Sequence, residues 1–80
     1  MTIIVLRYSY IGLVLVNTGS AYCVSREVAF IKFLFALNES DILVICTNFV
    51  KEYDVISNVF EDKESIASIE MENHCFRIYN

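Results

Sequence analysis

Few residues in this 80-residue chain have types and spacings that could do chemistry. His74, the one histidine, stands beside Cys75, an adjacency that invites a base and a nucleophile. Adjacent residues of a strand point to opposite faces. The pair therefore reads as a turn histidine and a strand cysteine, not one site. A zinc site needs about four ligands at recognisable spacing, whereas Cys23, Cys46, Cys75 and His74 are scattered. The acids Glu61, Asp62, Glu64, Glu70 and Glu72 could serve as paired carboxylates, as in glycosidases, but their pattern places them in an open connector and an exposed strand. With Tyr79 they read instead as a docking surface for a protein. Gly12 and Gly19 stand seven apart with no following Lys-Ser/Thr, so no phosphate-cradling loop is present. No catalytic residue, metal or cofactor is assigned, and the chain is not expected to be an enzyme.

These residues must be positioned by a small α+β domain spanning 1–80. The segment 2–10 is β-branched and aromatic enough for a strand. Ser9-Tyr10-Ile11-Gly12 offers a turn into a second strand at 13–16. The turn signal Asn17-Thr18-Gly19-Ser20 precedes a short third strand at 21–24. Ser25 is a suitable N-cap with Glu27 in the first turn, opening a helix over 25–37. On a helical projection Val28, Phe30, Ile31, Phe33, Leu34, Phe35 and Leu37 fill an arc of roughly 220°, against a stripe on the order of 100° that one packing layer needs. Ser25, Lys32, Ala29 and Ala36 mark the other side. Phe30, Phe33, Leu34 and Leu37 are therefore expected to reach a second contact, most simply another copy of the chain.

The run 42–46 reads as a central strand. Phe49, Tyr53, Ile56 and Phe60 share a stripe at helical spacing, predicting a second helix over 49–60 capped by Thr47 or Asn48. The tail reads as a hairpin turning near Asn73. Ile69 and Met71 point inward with Phe76 and Ile78, while Ser68, Glu70, Glu72, Cys75, Arg77 and Tyr79 point outward. The expected architecture is a mainly antiparallel sheet of about five strands, packed by one long apolar helix and a second helix.

Composition sets the functional class. Apolar and aromatic residues make up 56%, above the ordinary 45–50% or so of globular domains, although a chain this short buries only about 60–65% of its unfolded surface. The excess must lie outside the core, where contiguous apolar surface marks partner or self-association sites. No run is long enough to span a membrane and no secretory signal pattern opens the chain, so a cytoplasmic location is expected. Three widely spaced cysteines, with Cys46 inside an apolar run, read as packing residues and not as a disulfide scaffold.

Net charge is −4, and the last forty residues carry eight acids against three bases. That balance argues against direct nucleic-acid binding and allows docking on a basic protein surface. Ile, Asn, Phe, Tyr and Lys total 30 residues while Gly, Ala, Arg and Pro total 9, the bias of an A/T-rich genome. The expected function is a small acidic inhibitor or regulator that binds another protein. An anti-defence factor of a phage or mobile element, of the anti-CRISPR type, that blocks a nucleic-acid-handling complex is its most concrete form. The alternative is a homodimeric structural, immunity or antitoxin-like protein.

Overall fold

The computed structural model describes residues 1–9 and 12–80. The expected turn at 9–12 and the tyrosine at 10 therefore fall partly or wholly outside the described residues. Strands β1 (Ile3–Ser9), β2 (Gly12–Leu15) and β3 (Ser20–Tyr22) lead into helix α1 (Arg26–Asn38). Strand β4 (Ile42–Thr47), a 3-10 turn (Val50–Glu52) and helix α2 (Tyr53–Phe60) follow, and β5 (Ser68–Glu72) and β6 (Cys75–Tyr79) end the chain. The sheet has six strands in the order β3-β2-β1-β4-β6-β5.

The α+β class holds, but the sheet is mixed, not mainly antiparallel. Its central pair, β1 and β4, is parallel, with Val5 opposite Val44 and Ile3 opposite Ile42. Parallel neighbours need a crossover, which β2, β3 and α1 supply together. Helix α1 has 13 residues and is of ordinary length, not long. Strand β6 is inserted between β4 and β5 and pairs antiparallel with both. The β5–β6 turn is the two residues Asn73 and His74, at φ 53° and 64°. Positive φ at both positions is the hairpin geometry that matches strand twist.

Both helices lie on one face of the sheet. Leu6, Tyr8, Leu13, Leu43, Ile45, Phe76 and Ile78 point into the core and meet Ala29, Phe33, Ala36 and Leu37 of α1 and Ile56 and Phe60 of α2. Among the described residues, the rings of Phe30, Phe33 and Phe49 lie around Tyr8 at centroid distances of 6.3, 5.8 and 5.8 Å. The orientation of α1 differs from the expected one. Ala29 and Ala36, placed on the outer side by projection, are 0% and 8% exposed. Small side chains let the helix axis approach the strands, so the helix seats on Ala29, Phe33, Ala36 and Leu37 and turns Val28, Ile31 and Phe35 outward.

Polar side chains close the ends of these elements. Ser25 Oγ accepts from Val28 N–H at 3.3 Å, giving the expected N-cap. At the other end of α1, Asn80 Nδ2 donates to the carbonyls of Leu37 and Ser40 at 2.6 and 2.9 Å, and Ser40 Oγ donates to Ala36 at 2.7 Å. Helix-terminal carbonyls otherwise lack partners. Beyond the end of β2, Asn17 stands in for a strand: its Oδ1 accepts from Val5 N–H at 2.6 Å and its Nδ2 donates to Ile3 O at 3.0 Å. The second helical segment differs from the expected 49–60: it starts as a 3-10 turn at Val50, becomes α-helical at Tyr53, and is capped by neither Thr47 nor Asn48, while Thr47 Oγ1 accepts from Phe49 N–H at 3.1 Å.

Gly12 packs tightly against the backbone that follows β3. It is buried, its φ is +122°, and an added Cβ would meet the carbonyl oxygen and carbon of Tyr22 and the Cα of Cys23. Gly19, also at positive φ (+72°), faces open space. Substitution at a left-handed position costs about 1 kcal/mol from backbone strain alone. Gly12→Ala is therefore expected to destabilise the fold by about 2 kcal/mol or more and Gly19→Ala by about 1 kcal/mol, read as the shift in urea midpoint of each variant.

Candidate functional site

The alternation that sends Leu6, Leu43 and Phe76 into the core sends their neighbours to the sheet face opposite the helices. Three cross-strand rows compose it, read from the β1–β4, β4–β6 and β5–β6 registers. One runs Arg7, Cys46, Cys75, Glu72, the next Val5, Val44, Arg77, Glu70, and the third Ile3, Ile42, Tyr79, Ser68. Val14 on β2 continues the first row beside Arg7. Val5, Val14, Ile42 and Val44 do not belong to the core cluster or to the apolar residues packed on it. Ile3 is 41% exposed. The middle of the face is thus apolar apart from Arg7 on the central strand β1, no helix covers it, and Arg77, Glu70 and Glu72 collect on its β6–β5 side.

The acidic margin is ordered by local contacts. Tyr79 Oη donates to Glu70 Oε2 at 3.3 Å, and Glu70 is the cross-strand partner of Arg77. The Arg77 guanidinium is held above its ordinary pKa, first by Tyr79 and further by Glu70 and Glu72. Glu70, Glu72 and Tyr79, read from the sequence as one docking surface, do share a face. Glu61, Asp62 and Glu64 are exposed but stand in the α2–β5 connector, off that face.

Of the four residues expected to meet a second copy, Phe33 and Leu37 are core, at 0% and 2% exposure, and Phe30 and Leu34 are half-buried against the core. The apolar residues that α1 shows to solvent are Val28, Ile31 and Phe35, at 40, 53 and 63%. Helical projection places this stripe roughly opposite the seated one. Ile69 and Met71 pair with Ile78 and Phe76 on the expected side, yet remain exposed because β5 is the sheet edge, beyond the helices.

The cysteine reading needs correction. Cys46 and Cys75 are cross-strand partners with Cα atoms 4.0 Å apart, and they form a disulfide across 29 residues of sequence. The neighbouring pair, Thr47 and His74, is hydrogen-bonded through Thr47 N–H and His74 O at 3.0 Å. Cys46 and Cys75 thus occupy the close, non-hydrogen-bonded type of site that brings side chains together. Only Cys23 is a free cysteine among the described residues, and it is exposed. Disulfides persist mainly in oxidising compartments, a point against the cytoplasmic expectation. His74 is engaged as well, since its Nδ1 meets Tyr53 Oη. The described residues hold no cluster of three or more His, Cys, Asp or Glu suited to a metal ion. They include no helix long and apolar enough to cross a membrane.

A cleft of about 490 Å³ opens where the parallel strands β1 and β4 end, lined by Tyr8, Ser9, Val24, Arg26, Phe49 and Glu52. Arg26 reaches across from the start of α1 to Glu52, Nε to Oε2 at 3.2 Å, and its guanidinium carbon lies 5.5 Å from the Phe30 ring centroid. Burial, and then the Glu52 carboxylate, push the Tyr8 phenol up from its ordinary pKa. Compared with known proteins, the chain matches no family model, and neither curated proteins nor solved structures show significant similarity to it.

Two outcomes follow from these contacts. The 29-residue separation of the disulfide corresponds to about 3–4 kcal/mol of loop-closure stabilisation, so Cys46→Ala with Cys75→Ala should lower the unfolding free energy by about 3 kcal/mol, while Cys23→Ala leaves it unchanged in the same denaturation series. The raised Tyr8 pKa means the folded state holds that proton more tightly than the unfolded chain. Its stabilisation is complete below about pH 10 and is lost as pH rises through the folded value. Tyr8→Phe should flatten the alkaline decline of stability, read from melting temperatures between neutral pH and pH 11 or so.

Proposed function

We propose that this chain is a small non-enzymatic protein that acts by binding another protein. The observation that carries the reading is that apolar side chains stay exposed outside a closed core: Ile3 on the open sheet face, beside half-buried Val5, Ile42 and Val44, and Val28, Ile31 and Phe35 on α1. A solvated monomer gains nothing from such surfaces, whereas binding sites are built from them. The groups that suggested chemistry support the same reading. Cys75 is held in a disulfide, His74 is bonded to Tyr53, and the acids are split between the connector and the sheet margin.

The foreign partner is a protein with a basic surface, and α1 is the element that meets it. Its apolar stripe is flanked by the exposed Glu27 and Glu39, and the whole molecule carries −4, which favours encounter with positive surfaces. A nucleic-acid-handling complex is a natural owner of such a surface. The small size, acidity and A/T-rich residue bias support an anti-defence inhibitor of a phage or mobile element, of the anti-CRISPR type, as the concrete case.

Affinity capture from the native host tests this. Wild-type bait should retain a partner that elutes with rising salt, because exposed charges are screened, and an Ile31→Lys/Phe35→Lys bait should lose it. Identical retention by both baits would sink the assignment of α1.

A further inference from the structure

Strand β5 is an edge of the six-stranded sheet, and all five of its residues are exposed. We infer that this edge takes on an extended segment of another protein as an added strand, and that the segment alternates basic with apolar side chains.

The ladder decides which main-chain groups the edge offers. Thr47 N–H donates to His74 O, so Cys75, at a non-hydrogen-bonded site towards β4, directs its own N–H and C=O towards β5. The bonds between β5 and β6 therefore fall at the pairs Glu72–Cys75 and Glu70–Arg77. Ile69 and Met71 alternate with these residues and direct their N–H and C=O groups outward from the sheet. Such a row is a template for an incoming strand. Edges are ordinarily blunted by shortness, Pro, Lys or a bulge. The other edge, β3, is only three residues long, whereas β5 has five residues, neither Pro nor Lys among them, in continuous register with β6.

Side chains on the two sides of the edge specify the segment. On the helix side Ile69 and Met71 are 40 and 49% exposed, and apolar residues of an added strand would cover them. On the other side Glu70 and Glu72 line a hollow of about 200 Å³ together with Val44, Asn73, Cys75 and Arg77. Arg77 is the cross-strand partner of Glu70, but Glu72 lies opposite Cys75 and has no basic residue across the ladder. A lysine or arginine of the added strand points to this side, beside Glu72 and the hollow. Residues 61–72, which form the connector and β5, hold five acids and one base, as large a net negative charge as the −4 of the whole chain. That concentration steers a basic segment towards the edge.

Charge also decides against a second copy. Two β5 strands paired antiparallel at full overlap would set Glu70 against Glu70, and like charges directly opposite one another are destabilising. Acids on the edge disfavour self-pairing and favour a strand of opposite sign. This edge is separate from the outer side of α1, and the inference does not rest on the α1 contact proposed above.

Nuclear magnetic resonance titration of the full, disulfide-bonded chain with a capped hexapeptide of alternating lysine and valine tests the inference. The peptide should approach saturation below about 1 mM, with amide shifts centred on Ser68–Glu72 and slowed hydrogen exchange at Ile69 and Met71. A block peptide of the same composition, three lysines followed by three valines, should bind about fivefold more weakly or worse. So should an alternating peptide N-methylated at each valine, which lacks the donors that meet the edge. Met71→Pro removes an N–H that carries no ladder bond, so the variant should fold, as circular dichroism reports, and lose affinity by the same factor. Glu72→Lys should weaken binding at low salt, and Ile31→Lys/Phe35→Lys should bind as wild type does. No binding at about 1 mM, equal binding of the block or N-methylated peptide, or undiminished binding by folded Met71→Pro would overturn the inference. Shifts centred on α1 would overturn it too, as would protection of Ile69 and Met71 that rises with protein concentration in the absence of peptide, the mark of pairing between copies. None of these results bears on retention of a host protein through α1.

Discussion

The fold depends on a parallel strand pair that the chain itself covers on one side only. Strands β1 and β4 lie at the middle of the sheet, and each is apolar almost without interruption, through Ile3-Ile4-Val5-Leu6 and Ile42-Leu43-Val44-Ile45-Cys46. Continuous apolar runs belong to strands buried on both faces. One set of alternate residues, Ile4, Leu6, Leu43 and Ile45, is buried under the helices or packed on the core. The other set, Ile3, Val5, Ile42 and Val44, lies outside the core cluster and is half-buried or exposed. The remaining architecture follows from keeping this pair parallel: α1 must cross the sheet to return the chain in the same direction, and β6 must insert beside β4 before β5 can pair.

Local signals in the sequence were sufficient for the elements and insufficient for their arrangement. The Ser25 cap, the Asn17–Ser20 turn, the turn near Asn73 and the Phe49, Tyr53, Ile56, Phe60 stripe each depend on residues within a few positions of one another, and each has its counterpart in the structure. The parallel pairing joins residues about forty positions apart, and no local pattern records it. A sequence of hairpin-length segments suggests antiparallel neighbours, hence the expectation of a mainly antiparallel sheet. The disulfide is hidden for the same reason. Cys46 and Cys75 are 29 residues apart, and only the β4–β6 register, with its alternation of wide and close pairs, makes them neighbours.

The orientation of α1 shows a subtler failure of pattern reading. When apolar residues fill more than half of a helical projection, their centre no longer identifies the face that packs. Steric fit decides instead. Ala29 and Ala36 allow close approach to the strands, and Phe33 fills the space between helix and sheet while Leu37 extends the seat. The bulky Phe35 and the β-branched Val28 and Ile31 are left outside. The inference of an excess apolar surface on the helix was sound, but the residues that form it differ. Attention to the alanines, which carry little hydrophobicity but permit contact, was the available signal.

Polar side chains across the molecule are committed to structural contacts, and this constrains what the surface can do. Asp41 Oδ2 accepts from Thr2 N–H at 2.7 Å, Asn17 and Asn80 complete backbone ladders and helix ends, and His74 and Tyr53 tie the β5–β6 turn to α2. A polar side chain committed to a backbone group holds an edge in place and is no longer free to activate a substrate. What stays uncommitted is apolar area, at Ile3 and its half-buried neighbours on the open sheet face and at Val28, Ile31 and Phe35 on α1. Apolar area supplies affinity without regard to direction, whereas charges beside it, such as Glu27 and Glu39 flanking the α1 stripe, fix the orientation in which two surfaces can meet.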